Sequence, residues 1–310
     1  IEGKKYTFDK EDTAESFTFG GPIIKDKAFF YVTYEDTLVT NPVLYGPAGS
    51  GAANEQSITQ AQVDNIRNIT KTKYGWDPLG VASTTESKQE NTSIRIDYIV
   101  NENHRLTYNY KLTEGDRLRA SGSNSSFYFE SASYFKGEET DTSSILLVSD
   151  WADNLISEIY WSNKSTDTSQ ESPAGQDVPN FYIDDAYGMR VYLGADIYRS
   201  ANKLATETDF FKGKLTYYTG DHKITAGYEQ TSYDIYNVFI VAQDGSWEFD
   251  TLADYEAGVA SSFFANNAKT GTVEDAAAAF EYGLTSFYLM DEYAYSDRLS
   301  LTAGIRYDEY

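Results

Sequence analysis

The chain has 310 residues, 25 basic and 48 acidic, for a formal charge of −23 and a pI near 4.4; such a balance excludes nucleic-acid binding, because nothing would neutralise phosphates. It has no cysteine, so disulfide frameworks and cysteine–zinc clusters are out. Mean hydropathy is −0.51 and no apolar run approaches the roughly 18 residues of a membrane helix, yet a membrane β-barrel stays open because its strands show only alternate residues to lipid.

Tyrosine leads the aromatics, with 27 Tyr beside 17 Phe and 4 Trp. An apolar ring with a wet hydroxyl suits a membrane–water boundary, and it is also common in secreted β-proteins. The opening "IEGKKYTFDKEDT" has neither an initiator Met nor a basic-then-apolar leader, and reads as a mature or internal piece.

In chain order, period-two alternation predicts five hairpins. The first runs "SFTFGG", a turn at "IKDK", then "AFFYVTYED". In the second, Ile94, Ile96, Tyr98 and Val100 alternate with Ser93, Arg95 and Asp97; after "NENH", Leu106, Tyr108, Tyr110 and Leu112 alternate with Thr107, Asn109 and Lys111. The third joins "SSILLVSDW" to "LISEIYWSN" through "ADN", and the fourth joins "DFFKGKLTYY" to "KITAGYEQTSY" through "TGDH". The fifth joins "LTSFYLMDEYAY" to "LSLTAGIRYDEY" through "SDR", with Leu299, Leu301, Ala303, Ile305 and Tyr307 on one face and Arg306 and Asp308 on the other. About ten strands of some 9 to 14 residues follow, long enough to cross a bilayer at a tilt.

The connections between hairpins, about 39–90, 114–140, 168–202 and 237–280, are long and polar or acidic. Short turns on one rim and long loops on the other are the asymmetry of outer-membrane barrels. Within the loops, Ile58, Ala61, Val63, Ile66 and Ile69 have helical spacing, with Ser57 as N-cap and Gly75 as stop. "DGSWEFDTLADYEAG" reads as a strand and a helical turn, and "ASGSNSSFYFESAS" as a mobile Ser-rich stretch.

The order of these pieces resembles a family. "FGGPIIKDKAFFYVTYE", "RIDYIVNENHRLTYNY", "GDHKITAGYEQ", "WEFDTLADYEAG" and "DEYAYSDRLSLTAGIRYD" resemble, in the same sequence, segments of Oar-like TonB-dependent outer-membrane receptors. The resemblance implies an all-β, antiparallel transmembrane barrel, here partial, of which residues 1–310 are about ten strands of a larger, 22-stranded cylinder. It places Gly20, Gly21, Pro22, Lys25, Asp26 and Lys27 at a periplasmic turn, followed by Phe29, Phe30 and Tyr31 in an aromatic girdle. It also implies a plug domain, which is not seen in this sequence, a TonB complex as partner, and an outer-membrane lipid surround. Its ligand would be a siderophore, a glycan or a peptide, captured by extracellular loops. A negatively charged mouth would repel a strongly anionic ligand.

Chemistry beyond binding has little support in the residues. His104 and His222 fall in turns, and without Cys or a third His no zinc enzyme or cofactor site is expected. The acidic runs "DKEDTAE", "KGEETDT" and "FYIDDAYG" lack EF-hand spacing and read as solvated loops. Arg95, Asp97, Asn109, Lys111, Lys212, Lys214 and Arg306 lie opposite the apolar faces of their strands, and are expected to line a lumen and meet the plug or the passing ligand. A surface barrel for adhesion or docking of secreted proteins is the alternative reading, and a soluble glycan-binding β-sheet protein the third.

Overall fold

The computed structural model describes residues 10–175 and 178–310. The five hairpins form one antiparallel sheet: β1 (Asp12–Ile24), β2 (Ala28–Pro42), β5 (Thr84–Asn101), β6 (His104–Arg119), β8 (Tyr134–Ala152), β9 (Leu155–Glu171), β12 (Ala201–Thr219), β13 (His222–Ile240), β16 (Ala278–Ser296) and β17 (Leu299–Glu309), in that order across the sheet. The missing numbers belong to short strands in the long connections: β3 (Tyr45–Ala48), β4 (Asn54–Thr59), β7 (Ser126–Tyr128), β10 (Asn180–Ala186), β11 (Met189–Leu193), β14 (Ser246–Thr251) and β15 (Ser262–Phe264). Helices α1 (Gln60–Ile69) and α2 (Leu252–Ala257) lie there too.

The sheet is open: β1 and β17 each have one partner among the described residues. Its strands exceed the expected length, reaching 19 residues in β8, β12, β13 and β16. The extra residues are polar stretches such as "TTESKQEN" and "KGEETDT", which carry no apolar alternation and so read as loop in the sequence.

Register sorts the alternation into two continuous faces. Phe30 stands opposite Ile96, Ile96 opposite Tyr108, Tyr108 opposite Ile145 and Ile145 opposite Trp161. The apolar face continues through Phe211 opposite Trp161, Leu215 opposite Ala226, Leu289 opposite Ala226 and Ile305 opposite Leu289. It stays open to the surroundings, with Ile159, Leu215, Leu289 and Leu301 each 44% or more exposed. No globular core covers it. The girdle expected of three consecutive aromatics is reduced to one of them by the same geometry: Phe30 is on this face, whereas Phe29 pairs with Asp97 and Tyr31 with Arg95 on the other. Consecutive residues of a strand cannot share a face.

The first short turn holds Lys25, Asp26 and Lys27, with Asp26 in the left-handed region at φ 58 and Lys27 N–H donating to the Ile24 carbonyl at 3.0 Å. Gly20, Gly21 and Pro22 lie inside β1 rather than in the turn. A side chain at Gly20 would meet the Phe30 carbonyl and the Tyr31 ring at 2.9 Å, so glycine is required by that close approach. Pro22 sits beside a register irregularity between Pro22 and Ile24, at the turn end of the strand, where a missing N–H is tolerated. The two histidines open strands β6 and β13 instead of sitting in turns, and His222 Nδ1 is 2.8 Å from Asp291 Oδ2.

Candidate functional site

Two regions carry the polar chemistry: the face opposite the apolar one, and a cap built by the long connections. All seven lumen candidates fall on the polar face, since Arg95 pairs with Asn109, Asn109 with Ser144, Lys212 with Glu229 and Glu229 with Ser286, which is opposite Asp308. Arg95 forks onto Asp97 at 2.7 and 2.8 Å, and Thr107 Oγ1 donates to the same carboxylate at 2.8 Å. Lys214 Nζ lies 2.5 Å from Glu158 Oε1, with Lys212 at 3.9 Å from Oε2. Arg306 reaches Glu229 at 2.9 Å and Asp308 at 2.8 Å. Asn109 leans on Ser144 at 3.4 Å, and Lys111 pairs with no described carboxylate.

Sequence reading missed Glu158 and Ser286, and placed Glu229 on the polar face without its partner Arg306. Each occupies a polar slot in an alternating run, a signal that was present, but which group it meets, a cation for the two glutamates and Asp308 for Ser286, depends on strand order.

The long connections do not behave as separate loops. Strands β15, β14, β10, β11 and β7 form a second sheet, joined between connections by parallel pairing of β10 with β14 and of β11 with β7. One face of this sheet packs with α1 and α2 around Phe127, Ile183, Val191, Phe249, Ile58, Ile66 and Tyr255, all nearly or fully buried. The Ser-rich stretch is thus ordered, against expectation. Phe127 and Phe129 alternate into the core, and the serines around them make backbone turns, with Ser123 Oγ accepting from Ser126 N–H at 3.0 Å.

Helix α1 begins two residues later than expected. Thr59, not Ser57, caps it, accepting from Gln62 N–H while the Gln62 side chain accepts from Thr59 N–H at 2.8 Å. Ser57 and Ile58 belong to β4 instead, which turns Ile58 into the core. Gly75 ends the helical segment in the left-handed conformation, as expected. "WEFDT" is β14 and "LADYEA" is α2, the strand and turn of helix that the sequence predicts.

Tyr255 ties the first connection to the last. Its hydroxyl lies 2.8 Å from Thr70 Oγ1, its carbonyl accepts from Tyr74 Oη at 2.6 Å, and the two rings stack at 4.8 Å. Burial pushes the Tyr74 hydroxyl up to about 12. On the other face of the cap sheet Tyr128, Tyr192 and Tyr182 stack in a row, and Tyr182 Oη donates to Glu248 at 2.7 Å. That bond holds the Glu248 carboxyl below its usual range, whereas burial, then the neighbouring Glu248, raises Asp184.

Beside the core, Arg67 forks onto Asp77 at 2.7 and 2.8 Å. The Arg67 guanidinium holds the Asp77 carboxyl well below the usual range, outweighing the effect of burial, with Lys71 and the Leu79 N–H adding to it. A depressed folded-state value stabilises the fold above the unfolded value of about 4, and the benefit is lost as pH falls through the window below that. The cap is therefore expected to loosen on acidification below about pH 4, read as tryptophan fluorescence. Asp77→Asn should flatten that part of the curve and lower stability at neutral pH; an unchanged profile would show that the pair does not couple to folding.

The charges of the main sheet sort by face. On the apolar side, beyond the apolar band toward the long connections, Glu15, Asp36, Glu90, Glu114, Glu139 and Asp167 stand directly opposite one another from β1 to β9. Glu207, Asp234 and Glu281 continue the row from β12 to β16. Lys88 and Lys203 are the only Lys or Arg within the main strands on that face, among the described residues, and both are ion-paired. Most of the acidity in the strands thus faces outward, and the polar face is slightly richer in cations than in carboxylates. The described residues contain no group of three or more acidic or histidine side chains placed to hold a metal, and no helix is long and apolar enough to cross a membrane.

A two-faced sheet of long strands, with short turns at one rim and a folded cap at the other, is matched by one family of sequences: residues 68–310 fit the outer membrane beta barrel domain. The chain belongs to that family. Its apolar face is accordingly the lipid-facing side, and its location is the outer membrane. No curated protein matches its sequence. Among solved structures, the outer membrane transporter YddB from Escherichia coli is similar over 97% of this chain and 34% of its own, at 11% identity and a TM-score of 0.60. The ferric yersiniabactin uptake receptor FyuA from Yersinia pestis matches over 96% and 37%, at 10% identity and 0.56. The siderophore receptor PirA from Acinetobacter baumannii matches over 98% and 37%, at 11% identity and 0.53. At such identities the likeness is one of fold, and the chain spans about a third of the length of these barrels.

Proposed function

We propose that this barrel segment is part of a TonB-dependent receptor that takes up a ligand through a plugged lumen, rather than an enzyme. The observation that carries the reading is the polar face. Arg95, Asp97, Asn109, Lys111, Lys212, Lys214 and Arg306 share it, and in a closed barrel that face is the lumen wall, where a plug or a ligand would meet them. The unpaired edges of β1 and β17 support a larger barrel, because open backbone edges cannot face hydrocarbon. The Lys25–Asp26–Lys27 turn then lies in the periplasm and the cap outside the cell. The ligand is a siderophore, a glycan or a peptide.

The test is uptake in cells. Deleting the gene should abolish accumulation of a labelled member of one of those three classes, and a protonophore should reproduce the loss. Unchanged accumulation of all three would overturn transport and favour an adhesive surface barrel, a reading that the interlocked cap also suits.

A further inference from the structure

We propose that the polar face near the cap holds a binding patch for a ligand rich in oxyanion groups, formed by Arg117 and Arg119 of β6 and Lys136 of β8, with Lys111 of β6 and Lys164 of β9 further along the same wall. This rests on the receptor reading above and names the ligand's chemistry.

Register puts these five cations on one wall in two groups, about 20 Å apart along the strands at the ordinary rise per residue. Arg117 stands directly opposite Lys136, and Lys111 and Lys164 flank Thr142 from its two sides at one level. Arg119 is one step beyond Arg117 on the same face, opposite Tyr134. None of the five is ion-paired with a described carboxylate, and Glu138 is the one acidic residue among them on that face. Elsewhere on the face most cations are satisfied, Arg95 by Asp97, Lys214 by Glu158, Lys223 by Glu292 and Arg306 by Glu229, and the exception, Arg105, stands by itself beside the short turn. Like charges set directly across a strand pair destabilise it, so the Arg117–Lys136 pair calls for a counter-anion from elsewhere.

The patch has room for one. A cleft of about 210 Å³ is lined by Arg117, Lys136 and Lys88 against the carboxylates of Glu138 and Asp116, with Ser87, Gln89 and Gly115 between them. Arg199 of the connection after β9 borders the patch, lying over the Tyr134 ring at 4.7 Å while donating to Gln170 at 3.1 Å, with Asp196 3.9 Å from its Nε. Two guanidiniums beside the Lys136 ammonium suit planar oxyanions, which arginine grips in a bidentate fork. The carboxylate row on the opposite face acts weakly here, since at physiological salt exposed charges are screened over about 8 Å. A negative mouth therefore does not decide against an anionic ligand once that ligand is past the cap.

The experiment uses the full-length receptor in detergent, with tripolyphosphate as probe and calorimetric titration as readout. Wild type should bind it in a salt-dependent manner. Arg117→Ala with Lys136→Ala should weaken binding at least tenfold, while Lys203→Ala, on the other face, should leave it unchanged. Lack of binding by the wild type, or an equal response to all three substitutions, would overturn the patch. A lowered unfolding temperature of the double variant with binding intact would assign the pair to plug docking instead, and also overturn it. The assay needs neither TonB nor a proton gradient, so a working patch in a protein without energised uptake would sink the receptor reading alone, and the converse would sink the patch alone.

Discussion

Tyr108→Lys is expected to deplete the protein from the outer membrane, whereas Asn109→Lys, one residue along, should assemble at close to the wild-type level. Tyr108 lies on the apolar face between Ile96 and Ile145, five residues from the short turn at Glu102–Asn103, which puts it near the middle of the hydrocarbon. A lysine at that depth costs about 2–4 kcal/mol, and the cost falls toward the interface. Leu301 is on the same face but only three residues from its turn at Asp297–Arg298, so Leu301→Lys should have a smaller effect. Asn109 points to the polar side, where a lysine keeps its water. The measurement is the amount of heat-modifiable barrel in the outer-membrane fraction. If Tyr108→Lys and Asn109→Lys assemble equally well, the apolar face is not the one against lipid.

Phe249→Ala is expected to open the whole cap rather than one connection. Phe249 is 2% exposed and packs its ring against Phe181, Tyr74 and Tyr255, which come from three different segments. Removing a buried phenylalanine costs about 3–5 kcal/mol, comparable to the whole stability of a small unit whose core is one modest cluster. Limited proteolysis should then cut within 43–83 and 172–200 as well as within 241–277, while the barrel strands stay protected by their own ladders. Cleavage confined to 241–277 would mean that the connections order independently. Such cooperativity would make a cap held by inter-connection strands move as one body.

The parts of the protein that were legible in the sequence are those with short-range causes. Alternation at Ile94–Val100 and Leu106–Leu112 marked strand, face and partner at once, because a short connection leaves adjacent strands little choice but to pair, although the irregularity between Ile99 and Asn101 that sets their register left no trace. The same holds for the turn at Lys25–Lys27 and for helix α1, whose boundary moved only from Ser57 to Thr59. Phe29 and Tyr31 were misplaced because a run of aromatics hides the alternation that their backbone obeys.

What the sequence by itself determined is a set of hairpins with one greasy side each, and with it the membrane, since pleating fixes side-chain direction whatever lies next to the hairpin. Only the tertiary structure decided which hairpins are neighbours. That choice gathered Arg117, Lys136 and Lys164 on one wall, lined Asp36, Glu90 and Glu114 up on the other, and turned four loops into a cap with a single core. Contacts between strands far apart in sequence depend on sheet order and register, and neither leaves a periodic trace in the residues themselves.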